Sequence, residues 1–253
     1  MAEVDISQFI KPHTEAWYAA RRERLTSSEI HKIFVSGQKK GQLIGQGGMT
    51  YVNKIIAQIL TGEVKETPET PAILWGLTEE HDAKLKYQIK TNQIVEDSFF
   101  VAYSTILGGT NDGYVKENNK LKSIIEIKNP DSAKHIQILR CLDWSDLKDV
   151  DAQYYHQPQA NMMFCDAEYC DFISHDSRIK YPDLQLKIMR IYPSMFWRRE
   201  FTERIDFVAD YMNETLQRAL QTPELNEAFR VADKIKAIDN LVNAMESVKQ
   251  IAK

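Results

Sequence analysis

Apolar residues recur at helical spacing after Thr50, where Val52, Ile55, Ile56, Ile59 and Leu60 share one stripe. Gly62 follows as a stop. The pattern predicts an amphipathic helix capped by Thr50. A second helix is predicted over 74–89, carrying Glu79, Glu80, His81 and Asp82. Nearer the start, 13–34 predicts one helix with a basic patch at Arg21, Arg22 and Arg24, then another opened by Leu25-Thr26-Ser27-Ser28-Glu29-Ile30. The three consecutive hydroxyl residues are candidate N-caps, because each can accept from a free N–H of the first turn. The stretch 35–48 is rich in Gly, Gln and Lys, with Lys39 and Lys40 adjacent, and has no apolar period. It predicts a mobile loop. A proline-bounded loop follows over 67–71.

The period then shortens. Segments 99–103, 114–115 and 121–128 predict short strands, with Gly108-Gly109 and Asn118-Asn119 as turn signals. Helices are predicted over 137–142 and 152–164, and a closing pair of strands over 169–175 and 186–192. The fold class is therefore α/β, a mixed central sheet flanked by helices. Beyond Pro193 the spacing is helical through Phe207, Tyr211, Leu216 and Leu220, and after Pro223 again through Phe229, Ile235, Ile238, Leu241 and Val242. The whole tail after Pro193 is expected to form an appended hairpin of helices; we expect a main domain over 1–221 and a helical C-terminal extension over 222–253.

With 253 residues, 43% hydrophobic and 27% charged, the chain suits one sizeable core and resembles neither a disordered nor a fibrous protein. No apolar run approaches the roughly 20 residues of a membrane span, and the first ten residues carry acids rather than a basic, then apolar, leader. A folded protein of the cytoplasm is expected. Cys141, Cys165 and Cys170 are odd in number and irregular in spacing, which excludes a disulfide framework and a paired zinc site. The net charge of −4 excludes coating of nucleic acid by bulk charge, while leaving room for an enzyme with a local basic groove.

In 121–128, Lys122, Ile124, Glu126 and Lys128 fall on one strand face and Ser123, Ile125 and Ile127 on the other. Upstream, Thr110-Asn111-Asp112-Gly113 reads as a turn in which Gly113 lets the chain reverse, so that a hairpin brings Asp112 beside Glu126. Two carboxylates and a lysine at the end of a half-buried sheet make sense as a hydrolytic metal site. Hard oxygen ligands suit Mg²⁺, or Mn²⁺ in its place, and the Lys128 ammonium can orient or help deprotonate water and offset developing charge. A structural cross-strand pairing explains the same short motif without chemistry.

Further blocks decide between these readings. Trp17-x-x-x-Arg21 with 25–30, Trp75-Gly76-x-x-x-Glu80-x-Asp82-Ala83, Thr110-Asn111-Asp112-Gly113, Ile125-Glu126-Ile127-Lys128 and Tyr154-x-x-Gln157-x-Gln159 stand in one order. Together they resemble the lambda exonuclease or YqaJ-like viral recombinase family, within the restriction-endonuclease-like PD-(D/E)xK nuclease superfamily. The resemblance covers about 17–218. It implies that Asp112, Glu126 and the Ile127 carbonyl hold a first Mg²⁺, that Glu80 contributes to a second, and that Lys128 positions water with help from Gln157. Tyr154 would lie nearby and contact the DNA, although an aromatic at that position serves core packing equally well. It also implies that Arg21, Thr26, Ser28 and Thr110 hold the terminal 5′-phosphate, which suits a guanidinium fork, hydroxyl donors and a helix N-terminus.

The function implied is 5′-to-3′ degradation of linear double-stranded DNA to mononucleotides, leaving a 3′ single strand for phage-type recombination. The implied partners are double-stranded DNA ends and a single-strand annealing recombinase. A homotrimer is implied too, along with a phage or prophage origin in a bacterial host. Asn111 departs from the family's usual proline, and the tail after Gln221 exceeds the resemblance. The rivals are another PD-(D/E)xK endonuclease, of restriction or helicase-associated type, and a non-catalytic DNA-end or protein-binding module. The iron–sulfur type lacks its four cysteine ligands here. Glu79 competes with Glu80 for the ligand role. His156 and His175, without a second nitrogen or sulfur ligand at suitable spacing, read as structural.

Overall fold

The computed structural model describes residues 10–12, 14–62 and 71–221; the expected extension 222–253 and the 67–70 part of the predicted loop lie outside them. Thr14 caps helix α1 (Glu15–Arg22) by accepting from the Trp17 N–H. Strand β1 (Leu25–Thr26) leads into a 3₁₀ helix, Ser27–Phe34. Thr26 stands at its N-cap position without a side-chain cap bond. Helix α2 (Gln46–Thr61) has Gly45 at its N-cap position, five residues before the expected cap, and Thr50 lies inside it, donating to the Gln46 carbonyl. Gly62 ends it in a left-handed conformation, φ 69°, where the missing Cβ removes the steric cost. The 35–45 segment, expected as a loop without order, is tied by Gly37 N–H to Gln42 O (2.9 Å) and Gly45 N–H to Val35 O (2.7 Å).

Helix α3 (Pro71–Thr91) precedes β2 (Phe100–Val101), β3 (Leu107–Thr110), β4 (Gly113–Glu117) and β5 (Lys120–Lys128). Helices α4 (Ser132–Leu139), α5 (Leu147–Val150) and α6 (Ala152–Cys165) lead to β6 (Tyr169–His175), β7 (Leu186–Ile191) and the long α7 (Met195–Gln221). The helix expected over 137–142 thus starts earlier, at Ser132, and is capped by Asp131, whose carboxylate accepts from the Lys134 N–H. The single expected sheet is divided among the described residues: β1-β3-β2 form one sheet and β4-β5-β6-β7 the other. The break falls at Asn111-Asp112, between β3 and β4.

Two glycine readings change. Gly108 and Gly109 lie inside β3, not in a turn. A Cβ on Gly108 would come within 2.4 Å of the Phe100 ring, and one on Gly109 within 2.3 Å of Asn161 Oδ1, so both serve close packing. Gly113 has no positive φ; a Cβ there would meet Val95 Cγ1 at 2.5 Å. The reversal that brings Asp112 to β5 is made instead by Asn118 and Asn119, at φ 52° and 63°, the pair of left-handed residues that a two-residue hairpin requires.

The four-stranded sheet is covered on both faces. Ile124, Phe172 and Met189 pack with Met162 and Tyr154 of α6, and Ile125, Ile127 and Ile173 with Ala83 and Tyr87 of α3. A third cluster joins α2, the 3₁₀ helix, α6 and α7 through Ile30, Ile55, Ala160, Phe201 and Val208. Each such buried Ile, Val or Phe contributes about 1.5–3 kcal/mol. In this cluster His156 accepts from the Trp197 indole at 2.8 Å, and burial pushes its imidazole down to about 3, a structural histidine. No helix among the described residues is long and apolar enough to cross a membrane.

Candidate active site

Strand parity turns Glu126 and Lys128 toward α6, and their side chains pair, Lys128 Nζ donating to Glu126 Oε1 at 2.7 Å. Antiparallel pairing of β4 with β5 places Asp112 at the end of the ladder, its N–H on Ile125 O at 3.2 Å. The Asp112 carboxylate accepts from the Ile127 N–H at 2.6 Å. The Ile127 carbonyl shares that strand edge by the same parity, beyond the last β4 rung. From α6, Gln157 Oε1 accepts from Lys128 Nζ at 3.1 Å and is itself held by Gln153 Nε2 at 3.1 Å. Asp112, Glu126, Lys128 and Gln157 are thus brought together, and Glu80 joins them from α3 through its electrostatic contact with Asp112 and Lys128. Tyr154 is buried, its ring 5.8 Å from Lys128 Nζ and 5.3 Å from Lys134 Nζ. It is a packed wall carrying two cations on its ring.

Burial pushes the Glu126 carboxyl up to about 8 and, with Asp112, the Glu80 carboxyl up to about 7; burial also raises Asp112. Lys128 stays above its usual range because Glu126 and Asp112 outweigh its own burial. Three crowded carboxylates and one ammonium leave an excess of acceptor oxygen in a desolvated place. This donor set fits a hard divalent cation.

Groups with raised folded values stabilise the protein at pH below their unfolded range, and that contribution is lost as pH rises through about 7 and 8. A divalent cation opposes this loss but competes with protons at lower pH. Mg²⁺ is therefore expected to raise Tm more at about pH 8.5 than at about pH 6, with proton release seen by calorimetry in two buffers. Stabilisation independent of pH would contradict this donor set.

The second predicted group assembles beside the first. Thr110 Oγ1 accepts from Arg21 Nη1 and from Trp17 Nε1, each at 3.2 Å, and the guanidinium lies over the Trp17 ring at 4.4 Å. Thr26 Oγ1 and Ser28 Oγ share a hydrogen bond at 3.2 Å, and Thr26 N–H donates to Tyr51 OH at 2.8 Å. Thr26 pairs with Gly108 across β1 and β3, which carries it next to the Thr110 strand. Burial lowers Arg21 from its ordinary value, and among the described residues no ion pair involves it. A desolvated cation resting on neutral partners suits an anion. Lys39 and Lys40 are exposed on their turn.

Three positions escaped the sequence reading. Asn161 bridges Thr110 O and Glu126 Oε2, and Lys84 faces both Glu80 and Asp112. Each stands four residues beyond a recognised residue, Gln157 or Glu80, a spacing that shares a helix face. Tyr51, the third, is masked by its place in an apolar stripe. Glu79 and Glu80 face different neighbours. Glu79 turns to His175, 3.7 Å away, with Asp82 at 3.3 Å from the same ring. These three offer ligand atoms within 4.8 Å of one another, but Lys86 Nζ already lies among them, 2.7 Å from Asp82 and 3.0 Å from His175 Nε2. Asn111 uses its N–H on Phe99 O at 3.3 Å, a bond that the family's proline cannot make.

The family model described as YqaJ-like viral recombinase domain matches residues 16–168. The fold is similar to that of an alkaline exonuclease (LHK-Exo) from Laribacter hongkongensis, with TM-score 0.64, 24% identity, and 82% of this chain and 99% of that one covered. The same enzyme in complex with dAMP gives TM-score 0.66 at 24% identity, covering 88% and 100%. A phage related exonuclease from Haemophilus somnus 129PT gives TM-score 0.60 at 16% identity, covering 77% and 96%. No curated protein sequence matches the chain.

Proposed function

Because the chain belongs to the YqaJ-like viral recombinase domain family, we propose that it is a Mg²⁺-dependent exonuclease degrading linear double-stranded DNA from the 5′ end to mononucleotides. The observation that carries this reading is the contact of Lys128 Nζ with both Glu126 and Gln157, beside Asp112 and joined through the Asn161 amide to the Arg21–Thr110 pair. The names of the structural neighbours, an alkaline exonuclease and a phage related exonuclease, support it, as does that enzyme's complex with dAMP.

In this reading Asp112, Glu126, the Ile127 carbonyl and Glu80 hold Mg²⁺, with Mn²⁺ as a substitute. The bound ion supplies charge neutralisation at the phosphate and eases ionisation of water. Lys128, kept protonated by its two carboxylates, orients the attacking water and offsets charge developing on the phosphate rather than taking up a proton. Gln157 fixes the ammonium in that direction. Arg21, Thr26, Ser28 and Thr110 bind the terminal 5′-phosphate and set the scissile bond in register, while Tyr154 holds the floor beneath Lys128. The 3′ strand left behind suits a single-strand annealing recombinase as partner. A homotrimeric ring would gather basic side chains around the duplex and so let a chain of net charge −4 grip DNA. The setting is the cytoplasm of a bacterial host, on a phage or prophage.

The direction is tested with duplex labelled at one end. A 5′ label is expected to appear as mononucleotide at the onset of digestion, and a 3′ label to remain in long strands. The reverse order would overturn the direction, internal fragments would indicate an endonuclease, and binding without hydrolysis a non-catalytic module.

A further inference from the structure

Asn161 lies one turn beyond Gln157 on α6 and is 1% exposed. Its amide nitrogen donates to Thr110 O at 3.0 Å and to Glu126 Oε2 at 3.1 Å. Both of its hydrogens are spent. One acceptor is a main-chain carbonyl and the other a carboxylate, neither of which donates when Glu126 is ionised, so the nitrogen rather than the oxygen must face them. The amide oxygen lies against Gly109 of the same strand β3, which leaves the room: a Cβ there would stand 2.3 Å from Asn161 Oδ1 and 2.7 Å from Ser27 Oγ.

The residue type matters. A hydroxyl would offer one hydrogen where two are needed, a carboxylate would repel Glu126, and a second cationic side chain beside Lys128 would add a positive charge that competes with a divalent cation. A buried amide holds the carboxylate oxygen without cancelling its charge. Through Thr110 the same amide reaches the residue whose hydroxyl collects Arg21 and Trp17.

We propose that Asn161, seated on Gly109, is a positioning residue that fixes the Glu126 carboxylate relative to the Thr110 end of β3, so that the metal-binding and end-binding groups form one rigid unit. The proposal rests on the nuclease reading above for its functional meaning, but its geometry is tested by metal binding alone. Mn²⁺ binding to the full chain is followed by electron paramagnetic resonance, for the wild type, Asn161→Leu, which keeps the size and removes both donors, and Gly109→Ala, which keeps the donors and displaces them.

Both variants are expected to raise the Mn²⁺ dissociation constant roughly 10-fold or more. On linear duplex they are expected to lower kcat at saturating metal while KM for the DNA moves less than about two-fold; loss of packing alone would not produce that split. Unchanged Mn²⁺ affinity in folded Asn161→Leu overturns the proposal. Should that variant not fold, Gly109→Ala decides in the same way. If the wild type binds Mn²⁺ without cleaving DNA, the nuclease reading fails while the binding comparison still judges Asn161; if the wild type binds no Mn²⁺, both fail.

Discussion

Lys128→Ala is expected to lower DNA hydrolysis by about 10²- to 10³-fold, the usual cost of removing a preorganised charge aimed at the transition state, while duplex binding survives. Lys128 touches Glu126 and Gln157, whereas the groups assigned to the DNA end lie on α1, β1, the 3₁₀ helix and β3. The two functions are therefore separable by mutation. The fold should tolerate the change, because Glu126 and Asp112 already sit above the usual carboxylate range and can take up protons instead of remaining as unpaired buried charges. The check is kcat beside a filter-binding isotherm and a thermal melt. Turnover near the wild-type value would remove Lys128 from the mechanism, and loss of binding together with turnover would make its role structural.

Arg21→Ala is expected to abolish the preference for a 5′-phosphate over a 5′-hydroxyl end, lowering the rate on phosphorylated ends by about 10- to 100-fold, as the loss of a charge-assisted hydrogen bond would. Rates on hydroxyl ends should change little. The guanidinium is held flat over Trp17 and directed by Thr110, so Arg21→Lys, which has neither the plane nor the fork, should restore only part of the preference. The measurement is the ratio of initial rates on the two ends; an unchanged ratio in Arg21→Ala would move phosphate recognition elsewhere.

Much of the site was legible because strand periodicity is strict. Alternation over 121–128 fixes Glu126 and Lys128 on one face, and the hairpin carries Asp112 to them. The division into two sheets was not legible, since it depends on where the chain leaves one ladder and joins another at Asn111-Asp112. Glycine was misread for a physical reason: composition does not distinguish a left-handed turn from a close approach. Gly108 and Gly109 look like a turn and are packing sites, and Gly48, the end of the expected 35–48 loop, lies within α2, where a Cβ would come within 2.6 Å of the Lys32 carbonyl. That reading also displaced the start of α2 to Thr50. Asn161 was missed because a lone amide on a buried helix carries no charge signal, although Gln153, Gln157 and Asn161 repeat at four-residue spacing along one face.

The central claim is that this chain hydrolyses DNA from its ends with a divalent cation. It is tested most directly by incubating the wild-type protein with 5′-phosphorylated linear duplex and with covalently closed circular duplex of the same sequence, each with Mg²⁺ and with chelator. The expected result is complete release of mononucleotides from the linear form, only with Mg²⁺, and intact circles throughout. Cutting of the closed circles, or no hydrolysis of the linear form with Mg²⁺ or Mn²⁺, would contradict it.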